Sequence, residues 1–209
     1  MGSRMMHLII AKQVHEKLGL LNLRPFILGG IAPDAVFLRE KKDASHFYGG
    51  HVGDKTRFVD YERFIEKYLS NIHHNFMLGY LTHIISDDVW LKKIYFKNNF
   101  QKRLIDDPDF LTRWHNDFRL LNGKLVEWFN CANLMNELDY ADPNINSVEE
   151  IEIKDLIEFK KETLGDFLYT RDQTEKDLAV YRFDDIIDYI ESSTVMACEI
   201  CSKLIPRKD

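Results

Sequence analysis

The sequence predicts an all-helical fold, on three observations. Apolar residues recur at three- and four-residue spacings along most of the chain, no alternating series marks a strand, and cap residues punctuate the breaks between periodic segments. With 209 residues and no internal repeat, the chain reads as a single helical domain over residues 1–209.

His7, Ile10, Ala11, Val14 and Leu18 form the stripe of a first helix, which Gly19 terminates. A second short apolar stretch covers residues 25–30 and leads into a loop at Ala32, Pro33 and Asp34. Residues 41–54 read as a polar loop, because Gly49, Gly50 and Gly53 break the periodicity; it carries His46 and His51. Asp60 suits the N-cap of a helix over residues 61–69. His73 and His74 end a loop before Asn75, which caps a central helix running towards Tyr95. Asp107 followed by Pro108 opens a long helix through Trp114, Leu121 and Trp128. Pro143 marks a break over residues 142–146, and Ser147 with Glu150 matches a capping box for a helix ending near Gly165. A last helix spans residues 184–204.

The net charge of −6 gives no general attraction to nucleic acid or anionic lipid, which needs clustered Lys and Arg. The longest apolar runs, such as LIIA and FILGGIA, fall short of the roughly 20 residues that span a bilayer. The first residues lack a long apolar region with a small-residue cleavage site, so they read as the start of the folded domain and the expected compartment is the cytoplasm. Cys131, Cys198 and Cys201 make an odd count without a disulfide framework. Cys198 and Cys201 form a CxxC in a helix interior, where no helix N-terminus lowers the thiol pKa, and read as ordinary cysteines.

The segment GYLTHIISDDVW is the most informative. At helical pitch Phe76, Tyr80, His83, Asp87, Trp90, Leu91 and Ile94 share one stripe. An imidazole and a carboxylate on a face built for burial need compensation, which a hydrogen-bonded pair or a metal ion can provide. His7 interrupts a second stripe in the same way, Asp34 follows a proline in a tight loop, and His46 lies near glycines. Taken singly, His7 reads as a hydrogen-bonded core residue, Asp34 as a turn former and His46 as a surface residue. Taken together they suggest helices whose faces meet around something polar. His51 is a reserve ligand, and His115 with Asp117 a late addition, although two positions apart they do not share a helix face. Asp88 points about 100° away from Asp87 and reads as supporting or exposed. Seven of the eight histidines precede residue 84, so the metal-site residues fall mainly within residues 1–100 and residues 147–209 read as scaffold.

Other hydrolytic and redox centres lack their motifs. There is no His-Asp dipeptide, no Glu-x-x-His of a di-iron bundle and no GxSxG elbow.

The pieces HLIIA, GGIAPDAV, SHF, DYERFIEKYL and GYLTHIISDDVW, in that order over about the first hundred residues, resemble the zinc-dependent phospholipase C family and its shorter bacterial members. The resemblance implies an all-helical fold related to phospholipase C and the zinc single-strand nucleases, with one or two zinc ions. It implies His7, Asp34, His46, His83 and Asp87 as metal ligands, with Asp87 bridging and Asp34 doubling as a catalytic base. The family's downstream HxxxHxxxE motif is absent, which removes a full three-ion cluster. The expected function is metal-dependent hydrolysis of a phosphoester, the partner being a small phosphoester or phospholipid head group rather than nucleic acid. A non-catalytic metal-bearing helical domain is the alternative, and imidazole and carboxylate ligands also suit iron, nickel or manganese.

Overall fold

In the computed structural model, which describes residues 2–206, the chain is mainly helical. In chain order the helices are α1 (Arg4–Lys17), α2 (Leu23–Gly29), α3 (Arg39–Ser45), α4 (Tyr61–Lys67), α5 (Asn75–Trp90), α6 (Phe100–Asp106), α7 (Phe110–Trp128), α8 (Leu134–Asp139), α9 (Ile153–Gly165), α10 (Arg171–Glu175) and α11 (Phe183–Cys201). Two-residue strands β1 (Tyr48–Gly49) and β2 (Phe58–Val59) pair antiparallel, Tyr48 opposite Val59. Among the described residues no helix is long and apolar enough to cross a membrane.

Helix α5 is the central strut. Every residue from Phe76 to Trp90 is buried, so the single stripe read from sequence is one face of a helix covered on all sides. It packs against α1, α2, α4, α11 and β2. The closest approach is to α2, where two glycines let the backbones meet. A Cβ on Gly79 would lie 2.0 Å from the Phe26 carbonyl oxygen, and one on Gly29 would lie 2.0 Å from that of Phe76. Beyond Trp90 the helix widens into a π-helical turn, Leu91–Phe96.

Several local expectations are corrected. Residues 41–54 are not all loop: α3 occupies the first part, ending with His46 at its C-cap, and β1 follows. The polar sequence REKKDAS offers no apolar period by which such a short helix is read. Asp107 does not cap the long helix; it ends α6 in extended conformation, and α7 starts at Phe110 with Asp109 at its N-cap. Ser147 and Glu150 do not form a capping box either. Glu150 is taken by distant partners, accepting from Lys67 Nζ at 2.7 Å and Tyr68 Oη at 2.6 Å, and α9 starts only at Ile153. Asn75 is the first residue of α5, with His74 at the cap position. Asp60 does cap α4, accepting from the Arg63 amide at 3.1 Å.

Candidate metal centre

The five residues singled out in the first hundred converge in one buried place. His7 comes from α1, Asp34 from the 3-10 turn Ala32–Asp34, His46 from the C-cap of α3, and His83 and Asp87 from successive turns of α5. Side chains of His7, His46, His83 and Asp87 are fully enclosed, and Asp34 keeps 11% exposure. Two overlapping ligand sets arise, His7 with His83 and Asp87, and Asp34 with His46 and His83, each able to hold a metal ion.

Local chemistry fixes how the three rings face. His83 Nδ1 lies 2.7 Å from the Gly30 carbonyl, an acceptor only, so Nδ1 carries the proton. Its reach to that carbonyl follows from the α2–α5 glycine contact, one helical turn earlier. His46 Nδ1 lies 3.0 Å from the Lys42 carbonyl, one turn back on α3, and 2.9 Å from Ser45 Oγ. Ser45 Oγ donates to the Pro33 carbonyl at 2.9 Å, tying α3 to the turn that carries Asp34. His7 Nδ1 lies 3.0 Å from Ser86 Oγ, which donates its own proton to the His83 carbonyl at 2.7 Å and so accepts from His7. All three Nε2 atoms are thereby left as bare lone pairs, buried and without a hydrogen-bond partner among the described residues.

What those lone pairs face is carboxylate oxygen. His46 Nε2 is 3.3 Å from Asp34 Oδ1 and 3.6 Å from Asp87 Oδ2; His83 Nε2 is 3.9 Å from Asp34 Oδ2 and 3.9 Å from Asp87 Oδ2; His7 Nε2 is 3.6 Å from Asp87 Oδ1. Lone pairs opposing carboxylates repel unless positive charge is supplied close by, and a metal ion in the gap is one way to supply it. The spacing exceeds the 2.7–3.0 Å of a charge-assisted hydrogen bond. Donors about 2.0–2.2 Å from a tetrahedral ion lie about 3.3–3.6 Å from each other, which brackets the shorter of these separations.

The electrostatics agree. Burial lowers the His83 pKa to about 4 and, with His83 adding to the effect, holds His7 well below the ordinary imidazole range. Both rings are neutral near pH 7, the form that ligates. Burial alone would push the two carboxyls up, yet both stay well below the usual carboxylate range. The Lys42 ammonium is the largest opposing influence on Asp34, and Asp87 stays low against its complete burial.

Three residues complete the centre that sequence reading does not identify. Lys42 Nζ holds Asp34 Oδ1 at 2.9 Å, Tyr48 Oη donates to Asp87 Oδ2 at 2.7 Å, and Arg57 lies over the Tyr48 ring at 4.1 Å. Tyr48 also stacks on His46, with centroids 5.2 Å apart. The only signal for Lys42 was its place one turn before His46; Tyr48 and Arg57 arrive through the β1–β2 hairpin, whose strands are too short to show alternation. Tyr48→Phe is expected to weaken zinc binding about 10- to 100-fold, as loss of a group orienting a ligand does. Competition against a chromophoric chelator measures it, and an unchanged affinity would remove Tyr48 from the centre.

The remaining sequence candidates lie elsewhere. His51 is exposed in the hairpin loop, and His73 and His74 are exposed before α5. Asp88 is buried rather than exposed, pairing with Lys92 and accepting from the Val59 amide at 3.5 Å. Asp117 is not a ligand. Its carboxylate accepts from the amides of Ala179, Val180 and Tyr181 at 2.9, 2.7 and 3.1 Å, pinning the segment before α11. Asp117→Ala strands these donors and is expected to cost about 3 kcal/mol, read by urea denaturation, while metal content stays unchanged. His115 is exposed on α7, at the edge of a cleft that opens beside Asp34.

No family model, curated protein or solved structure matches the chain.

Proposed function

We propose that the chain is a metal-dependent phosphoester hydrolase related to the zinc-dependent phospholipase C family, with one or two zinc ions. The observation that carries the reading is the set of three buried imidazole lone pairs facing two carboxylates across gaps suited to an ion. Drawn from the two overlapping sets, His46, His83 and Asp87 Oδ2 would supply three protein ligands, the number typical of a catalytic zinc with an open position. His7 with Asp87 Oδ1 offers a second, less complete place on the other side of the same carboxylate. A bound divalent ion supplies Lewis acidity to a phosphoryl oxygen and to the attacking water.

The chain's own groups do the rest. Asp34, ionised and at the mouth of the cleft, accepts the proton of the water that attacks phosphorus. Lys42 fixes the carboxylate for that task and places an ammonium beside the charge that develops on the phosphoryl group. Tyr48 keeps Asp87 oriented, and the enclosed walls exclude bulk water.

A second reading has one observation in its favour. Asp34 lies as close to His46 as a fourth ligand would, and four protein ligands would close the site as a structural one. Asp34→Asn separates the two. Hydrolysis predicts that the variant keeps its zinc and loses turnover of a soluble aryl phosphodiester by at least about 100-fold, the contribution of a general base. A structural site predicts loss of the zinc itself. Absence of zinc-dependent turnover in the unaltered chain, above a His83→Ala control, would count against hydrolysis altogether.

A further inference from the structure

The cleft beside Asp34 has a volume of about 700 Å³, within the range of small-molecule sites. One wall is a single face of α7, where His115, Phe118, Arg119 and Asn122 stand at positions i, i+3, i+4 and i+7, next to Trp114. The cations around it are not equivalent. Arg4 is engaged by Asp166 at 2.7 Å and Glu162 at 2.7 Å, and Lys42 by Asp34. Arg119 reaches only the neutral Asn116 Oδ1, at 2.9 Å, and has no carboxylate partner among the described residues. Deeper on the same face Asn122 is 93% buried, and its Oδ1 has no hydrogen-bond donor among the described residues. A buried amide oxygen left unpaired in a cleft wall costs free energy unless a ligand supplies the donor.

We propose that this cleft holds the non-reacting arm of a phosphoester that carries a second anionic group: the anion meets Arg119 and His115, and a hydroxyl of the arm donates to Asn122 Oδ1. Resting on the hydrolase reading, this names the substrate class as a small hydroxylated phosphoester with two negative groups. Phe118 and Trp114 pack the carbon frame, while Asp34 marks the reacting end.

Calorimetric titration of the zinc-loaded full chain with glycerol 1,3-bisphosphate and glycerol 3-phosphate tests it without requiring turnover. The bisphosphate is expected to bind at least about tenfold tighter, as a charge-assisted guanidinium–phosphate contact provides. Arg119→Ala should bring the ratio near one and Arg119→Lys should keep part of it. Asn122→Leu should abolish the preference for glycerol 1,3-bisphosphate over its analogue lacking the 2-hydroxyl. Arg119 is exposed, so its variants fold even if Asn122→Leu does not. A ratio unaltered by Arg119→Ala overturns the anion subsite, whether or not phosphodiesters are hydrolysed. A ratio that depends on Arg119 in a chain that hydrolyses nothing supports the subsite and overturns the hydrolase reading instead.

Discussion

Asp87→Ala is expected to abolish the thermal stabilisation that zinc gives the unaltered chain. At a free zinc concentration 100 times the dissociation constant, binding to the folded state alone adds about 2.7 kcal/mol. For a chain of this size each kcal/mol moves the melting temperature by about 2–4 °C, so the unaltered protein should gain roughly 5–10 °C. Asp87 faces all three imidazoles, His7 through one oxygen and His46 and His83 through the other, so its removal breaks the His7–His83–Asp87 set and takes the nearer carboxylate of α5 away from His46 and His83 in the other. The variant should shift by less than about 2 °C. Its metal-free melting temperature will also be lower, because Tyr48 Oη loses a buried acceptor at a cost of about 1–3 kcal/mol. The comparison is therefore made within each protein, with and without zinc. A full zinc shift in Asp87→Ala would remove Asp87 from the ligands and leave only Asp34, His46 and His83, or a place outside this centre, to hold the metal.

Gly79→Ala should be among the most damaging single changes outside the centre. The added Cβ would stand 2.0 Å from the Phe26 carbonyl oxygen, an overlap that only separation of α2 from α5 relieves. That separation opens the middle of the core, and a loss of at least about 4 kcal/mol is expected, or roughly 8–16 °C in melting temperature. Gly165→Ala is the control. It ends α9 with nothing within 4 Å of its would-be Cβ, and a gain of a few tenths of a kcal/mol up to about 1 follows from helix propensity. Circular dichroism melts of the two variants decide the matter. Equal melting temperatures would mean that the helices do not approach as closely as described. Any folded Gly79→Ala should also bind zinc more weakly, since His83 takes its orientation from the Gly30 carbonyl.

The parts of this picture legible in the sequence are those written in long-period signals. Helix α5 has ten apolar, aromatic or glycine residues among its sixteen, so spacing alone places His83 and Asp87 on one face, and α1, α7 and α11 are likewise visible as long helices. His46 was visible as a residue but not as the cap of a helix, because α3 has no apolar stripe. The β1–β2 pair, and with it Tyr48 and Arg57, was hidden because two residues per strand cannot display a period of two. Glu150 and Asp117 were misread for a different reason. Both have local sequence contexts that suit a nearby role, and both are instead used by partners more than sixty residues away. Nor does composition show that Gly29 and Gly79 face each other. Each is an ordinary helical glycine until the two helices are brought together.

The glycine crossing also sets an origin from which α5 is counted. His83 stands four residues beyond Gly79 and Asp87 four beyond that, so each falls about 6 Å further along the axis with only about 40° of drift. One residue inserted between Gly79 and His83 would swing the imidazole by about 100° and carry Asp87 with it. The same insertion after Trp90, where the helix has already widened at Leu91–Phe96, leaves both ligands in place. In any chain that keeps this centre, the spacing from Gly79 to Asp87 is therefore expected to keep its length.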